Sequence, residues 1–309
     1  LQASAKRTLG SAELGTGPAP LRFTAEAWAA QRPDRAPAPG TDRYQPVAAT
    51  GRVQRLEIRG GAGPAAGMVR DALVWTPPGY DDPANADIRY ATLYLMDGQN
   101  LFERSGAIPA EWGVDETATR LIEAGLIEPV IIVGVPHAGS ARAVEYLPAP
   151  AYGVEAPAGD DFVGFLSDTV VPRVDRAFRT RPERTERYIG GASLGAIISL
   201  HAAAQRSDLF GGVLLESPST LGRAQAEWLA ALKQHGRWPD RAYVGVGDNE
   251  GDGAGRGRIV RSAEQIAAAL EESGAQMRLV IEAGAEHDER AWARRFPEAM
   301  QFLLGTSDR

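Results

Sequence analysis

Beyond Tyr90 the chain alternates short apolar runs with longer stretches in which apolar residues recur every three or four positions. The runs at 91–96, 130–135, 188–190, 213–216, 242–246 and 277–281 read as strands, too short for amphipathic helices. The windows 114–124, 160–178, 194–205, 223–235, 258–272 and 289–304 read as helices. In two of them Ile259, Ala263, Ile266 and Leu270 share one face, as do Phe296, Met300 and Leu303. A strand that is apolar throughout needs cover on both faces, so the alternation predicts an α/β fold with a mostly parallel sheet between helical layers. Earlier in the chain, 53–59 and 68–75 flank Gly60-Gly61-Ala62-Gly63, the composition of a hairpin. This predicts an antiparallel edge on the N-terminal side of the sheet.

Residues 1–50 differ in kind. Prolines at 18, 20, 33, 37, 39 and 46 among alanines disfavour both helix interior and ladder hydrogen bonds, so the segment reads as an arm with little regular structure. Within it, Thr24 can cap a helical turn over 24–31 with Trp28 as its apolar anchor, clamping the arm onto the body or onto a partner in a homodimer. Residues 51–309 read as one catalytic domain. The opening residues 1–5 (LQASA) fit what remains after cleavage of an export signal, an expectation that favours a periplasmic or secreted location.

Composition narrows the chemistry. With 44% hydrophobic and 24% charged residues the chain can bury a core, and disorder is not expected. The absence of cysteine removes thiol catalysis, disulfides and cysteine-based metal sites. A net charge of -7 offers no positive field for nucleic acid or anionic lipid, and no run of about 18 apolar residues is present to span a bilayer.

Gly191-Ala192-Ser193-Leu194-Gly195 is a G-x-S-x-G pentapeptide between an expected strand and an expected helix. Its small residues allow a sharp turn with the Ser193 hydroxyl exposed at the helix start. A serine hydroxyl needs a base to act as a nucleophile, and there are four histidines. His201 falls within the helix after the elbow, His235 ends a helix, and His137 precedes the serine. His287 follows the strand at 277–281, where a hydrolase base is expected in chain order. A carboxylate must orient that base, and the turn after 242–246 offers Asp248, Glu250 and Asp252, among which spacing does not choose. The same turn mimics the start of an EF-hand, but Ile259 occupies the position of the required glutamate, so no metal is expected. Oxyanion donors are expected from the backbone of Leu194 and, after Asp97-Gly98, of Gln99.

Four segments together carry a family resemblance: Tyr94-Leu-Met-Asp-Gly-Gln-Asn-Leu-Phe, Glu111-Trp-Gly-Val-Asp-Glu, Gly191-Ala-Ser-Leu-Gly and Glu286-His-Asp. They resemble the putative-esterase family, which includes esterase D, feruloyl and acetylxylan esterases, siderophore esterases and mycolyltransferases, over residues 72–304. The resemblance implies the α/β-hydrolase fold, Ser193 as nucleophile, His287 as base, and Leu194 and Gln99 as oxyanion donors. It ranks Glu250 ahead of Asp248 as the acid and points to His137, Trp112 and Arg142 as substrate contacts. His137 stands where the family pattern has asparagine, and Arg142 and Glu145 are expected to pair and hold their loop. The implied function is hydrolysis of small acyl esters of a carbohydrate, a feruloyl or acetyl group, or a siderophore-like scaffold, through an acyl-enzyme and without cofactor. Acyl transfer and a non-catalytic binding scaffold are the alternatives.

Overall fold

The computed structural model describes residues 21–23, 47–60, 67–102, 111–234, 237–251 and 257–305. Its main sheet has eight strands: β1 (Arg52–Arg59), β2 (Val69–Thr76), β3 (Ala91–Met96), β4 (Val130–Val135), β5 (Arg187–Ala192), β6 (Gly212–Glu216), β7 (Arg241–Gly247) and β8 (Gln276–Glu282). Their spatial order is β8-β7-β6-β5-β3-β4-β2-β1. The β1/β2 and β2/β4 pairs are antiparallel and the other five are parallel, as the periodicity and the glycine-rich hairpin predict. In the arm, Leu21–Phe23 pairs antiparallel with Val47–Ala49. The helical turn expected at 24–31, His235 and Asp252 lie outside the described residues.

The helices are α1 (Val114–Glu123), α2 (Arg142–Tyr146), α3 (Gly159–Phe165), α4 (Val171–Ala177), α5 (Leu194–Gln205), α6 (Gln225–Gln234), α7 (Arg258–Glu272) and α8 (Glu289–Leu304). The window 160–178, expected as one helix, divides at a π-turn over Leu166–Val170. Pro172 lacks the N–H that would continue the regular ladder, which accounts for the break. Alternate strand residues face opposite layers. Ile131, Val133, Ile189, Val213 and Val244 pack with Phe162, Ile197 and Ile266 on one side. Leu93, Leu95, Ile132, Leu214 and Tyr243 pack with Val114, Phe296, Met300 and Leu303 on the other. Helix α5 is apolar around its circumference and buried almost throughout, which fixes the segment after Ser193 over the middle of the sheet. Among the described residues no helix is long and apolar enough to cross a membrane.

The parallel strands bring the residues after β3, β5, β6, β7 and β8 to one edge of the sheet, where open α/β sheets place ligands. Buried charges brace this edge. Arg295 on α8 bonds Glu216 at the end of β6 and Glu282 at the end of β8. Arg70 on β2 is paired with Glu145 on α2, both almost fully enclosed.

One buried carboxyl has no such partner. Asp115, on the first turn of α1, accepts the Thr50 N–H at 2.6 Å, while its other oxygen is unpartnered among the described residues. Burial, reinforced by the neighbouring Glu116, pushes its pKa up to about 9. The folded state therefore keeps a proton that the unfolded chain releases near pH 4, and stability falls as pH rises between those values. Asp115→Asn, which has no proton to lose, is expected to exceed the parent by several kcal/mol at pH 8. The advantage should vanish towards pH 4, as melts at both pH values would reveal.

Candidate active site

Ser193 occupies the single residue between β5 and α5, with φ 58° and ψ -125°. This backbone suits glycine, and a side chain held there marks a site where strain is tolerated for position. Its N–H donates to the Glu216 carbonyl at 2.9 Å, tying the turn to the neighbouring strand end. The flanking glycines are required by space. A Cβ on Gly191 would lie 2.9 Å from the Gly195 carbonyl carbon, and one on Gly195 would lie 3.0 Å from the Asp97 carboxylate. At Gly191 a larger residue would force the elbow open, and at Gly195 the Asp97 side chain would have to give way.

His287 follows β8 and precedes α8, and its Nδ1 lies 2.7 Å from Glu250 Oε2. Glu250 is 1% exposed. Its second oxygen accepts from the Gly247 N–H at 2.7 Å and from the Ser217 hydroxyl at 2.5 Å, so donors on both oxygens hold the carboxyl group in one orientation. Asp248 is exposed and instead accepts the Gly284 N–H at 2.6 Å, bracing the turn ahead of His287. The bond through Nδ1 leaves Nε2 as the nitrogen able to take a proton. The Ser193 hydroxyl is bonded at 3.0 Å to the Ser219 hydroxyl and not to His287, although both residues stand on the same sheet edge.

Two helix starts face this edge without side-chain caps. Neither Ser193 at the start of α5 nor Asp97, before the 3₁₀ turn Gly98–Asn100 that holds Gln99, caps its helix with its side chain. The N–H groups of Leu194 and Gln99 thus belong to uncapped turns, the kind of donor an oxyanion needs. The turn after β3 is held by close backbone approach, since a Cβ on Gly98 would meet the Gly134 carbonyl carbon at 2.3 Å.

Arg142 does not pair with Glu145, contrary to expectation. The five-residue α2 turns Glu145 inward, where it meets the buried Arg70 and accepts the Ala138 N–H at 2.8 Å. Arg142 leans towards the site and grips Asp97 with two bonds of 2.7 Å. His137 is half-buried beside this pair, its Nδ1 unpartnered among the described residues and its ring edge-on to Tyr146 at 6.5 Å. Burial lowers its pKa, opposed by Asp97, which favours the neutral imidazole. Trp112 is 3% exposed, sandwiched between Trp292 and Phe296, and presents little surface to a substrate. His201 is a packing residue: its Nδ1 accepts from Trp228, and Nε2 faces Asp160 at 2.7 Å.

Sequence reasoning did not single out Ser217, Ser219 or Trp292. Trp292 stands edge-on to His287 at 5.4 Å and donates to the Ser217 hydroxyl at 2.9 Å, so it touches both the imidazole and the support of its carboxylate. The only local signals were its place one turn into α8 and the position of the two serines just past a strand end.

An eight-stranded, mostly parallel sheet with an antiparallel N-terminal edge, helices on both faces and a serine at a strand-to-helix elbow is the architecture of an α/β-hydrolase. Residues 65–303 match the family described as "Putative esterase", and the chain belongs to that family of carboxylic-ester hydrolases. Two relatives are YbbA of Bacillus subtilis, an uncharacterized protein, and an endo-1,4-beta-xylanase/feruloyl esterase of Xylanibacter ruminicola. YbbA is 24% identical over 76% of this chain and 93% of its own length. The second is 25% identical over 77% of this chain but only 30% of its own length. Among solved structures, the enterobactin esterase FES of Shigella flexneri superposes with a TM-score of 0.65 at 16% identity, covering 83% of this chain and 60% of its own. The ferulic acid esterase AmCE1/Fae1A of Anaeromyces mucronatus gives 0.60 at 19% identity, covering 81% and 89%.

Proposed function

We propose that the protein is a serine carboxylic-ester hydrolase working through an acyl-enzyme, with Ser193 as nucleophile, His287 as general base and Glu250 as the acid that orients it. The observation that carries this reading is the strained strand-to-helix position of Ser193 on the same sheet edge as the His287–Glu250 pair. Ser193 turns about its Cα–Cβ bond from Ser219 towards His287 Nε2. It then attacks the ester carbonyl as the imidazole takes its proton. The N–H groups of Leu194 and Gln99 receive the oxyanion. The imidazolium protonates the departing alcohol, and water repeats the sequence to free the acid and restore Ser193. Glu250, held by three donors, keeps the proton of the neutral ring on Nδ1 and stabilises the cation when it forms.

The printed activities of the similar proteins support a small ester of a carbohydrate, a feruloyl-type acid or a siderophore-like scaffold as substrate. The test is hydrolysis of p-nitrophenyl acetate and butyrate before and after treatment with an equimolar fluorophosphonate. Activity should disappear as one label appears on the tryptic peptide 188–206. Undiminished hydrolysis with that peptide labelled would remove Ser193 from the mechanism.

A further inference from the structure

Among the described residues Tyr152 is the most exposed of the large apolar side chains, at 61%. It stands at the tip of a turn whose ends, Ala151 and Val154, are joined by a 2.9 Å backbone bond and pack against the core. Both central residues have positive φ, 53° at Tyr152 and 77° at Gly153. Glycine fits such a place without cost, whereas an aromatic residue there is an outlier of the kind that gathers at ligand clamps.

The orientation of the side chain is also unusual for a surface tyrosine, which ordinarily keeps its hydroxyl in water and buries its ring. Here the phenol donates to the Thr220 carbonyl at 2.8 Å, leaving the ring outside. Thr220 directly follows Ser219, whose hydroxyl lies 3.0 Å from that of Ser193. Enclosure of the hydroxyl end raises the phenol pKa, with the Ser219 side chain opposing the shift. A rigid aromatic face, pinned at both ends, is therefore held next to the candidate nucleophile. Fixing such a surface before binding lowers the entropy lost when a flat ring settles on it.

We propose that Tyr152 is a specificity-determining residue: its exposed ring stacks against an aromatic ring carried by the ester substrate while the carbonyl lies at Ser193. This rests on the esterase reading above and adds the substrate class to it. The ring can belong to the acyl group or to the alcohol, and the choice of esters separates the two.

Wild type, Tyr152→Asn and Tyr152→Phe are compared on methyl cinnamate, with an acyl-side ring, benzyl acetate, with an alcohol-side ring, and ethyl butyrate, with none. Asparagine tolerates the left-handed backbone, so Tyr152→Asn removes the ring without adding strain. Its KM is expected to rise about tenfold or more on one ring-bearing ester, whichever side binds Tyr152, with kcat and KM for ethyl butyrate unchanged. Tyr152→Phe keeps the ring, loses only the tether, and should stay within about threefold of wild type on all three. If Tyr152→Asn changes all three esters alike, or none, Tyr152 serves only the loop and the proposal is overturned. A wild-type enzyme that hydrolyses none of the three overturns the esterase reading itself, and the proposal with it.

Discussion

Ser193→Ala is expected to lower kcat on p-nitrophenyl esters by about 10⁴-fold or more, with KM little changed. The loss is large because His287 would then have no hydroxyl to deprotonate, and only the uncapped N–H groups at the starts of α5 and the turn after β3 would remain to polarise a carbonyl. The fold should survive, since Ser193 is bound to its surroundings through its backbone and through one hydroxyl contact with Ser219. Ser193→Gly sharpens the test. Glycine accepts φ 58° and ψ -125° freely, so this variant should be inactive yet about 1 kcal/mol more stable than the parent. Initial-rate kinetics with thermal melts check both halves. Retained activity in either variant would mean that another nucleophile operates.

Replacing Glu250 by alanine should be the next most costly change, lowering kcat by about 10²- to 10⁴-fold. Its carboxylate bonds His287 Nδ1 at 2.7 Å, and without it the imidazole is free to adopt the wrong tautomer and to rotate. Glu250→Gln retains the shape but can offer an N–H where the ring requires an acceptor, so it should be nearly as damaging. Asp248→Ala is the control. Asp248 touches the Gly284 N–H and not the imidazole, so its loss should cost less than about tenfold. Equal small losses in the two alanine variants would point to a Ser–His dyad that needs no acid.

Much of the fold was legible because its signals are local. The 3.6-residue repeats of Ile259, Ala263, Ile266 and Leu270 and the glycine-rich link between β1 and β2 act over a few residues, and the elements formed where they pointed. The break within 160–178 was also local, since Pro172 is visible in the sequence, but its consequence depended on neighbours that tolerate a π-turn. Side-chain pairing was less legible. Arg142 and Glu145 are three residues apart and look like partners, yet each is claimed by a distant opposite charge, Asp97 and Arg70. A buried Arg70 without Glu145 would be a charge stranded in the core, a far larger penalty than the gain from a partly exposed helical pair.

Chain order and periodicity alone determined the class of fold, the strand-to-helix turn that carries Ser193, and the turn from which a carboxylate would come. The family resemblance ranked Glu250 ahead of Asp248 where spacing did not choose, and the contact with His287 is made by Glu250; only the tertiary structure decided that Ser219 holds the serine hydroxyl and that Trp292 backs the imidazole. The difference is physical. Backbone preference and amphipathic spacing act between near neighbours, whereas these contacts join the ends of separate parallel strands. Their partners are set by sheet order, register and the loops that bring them to one edge.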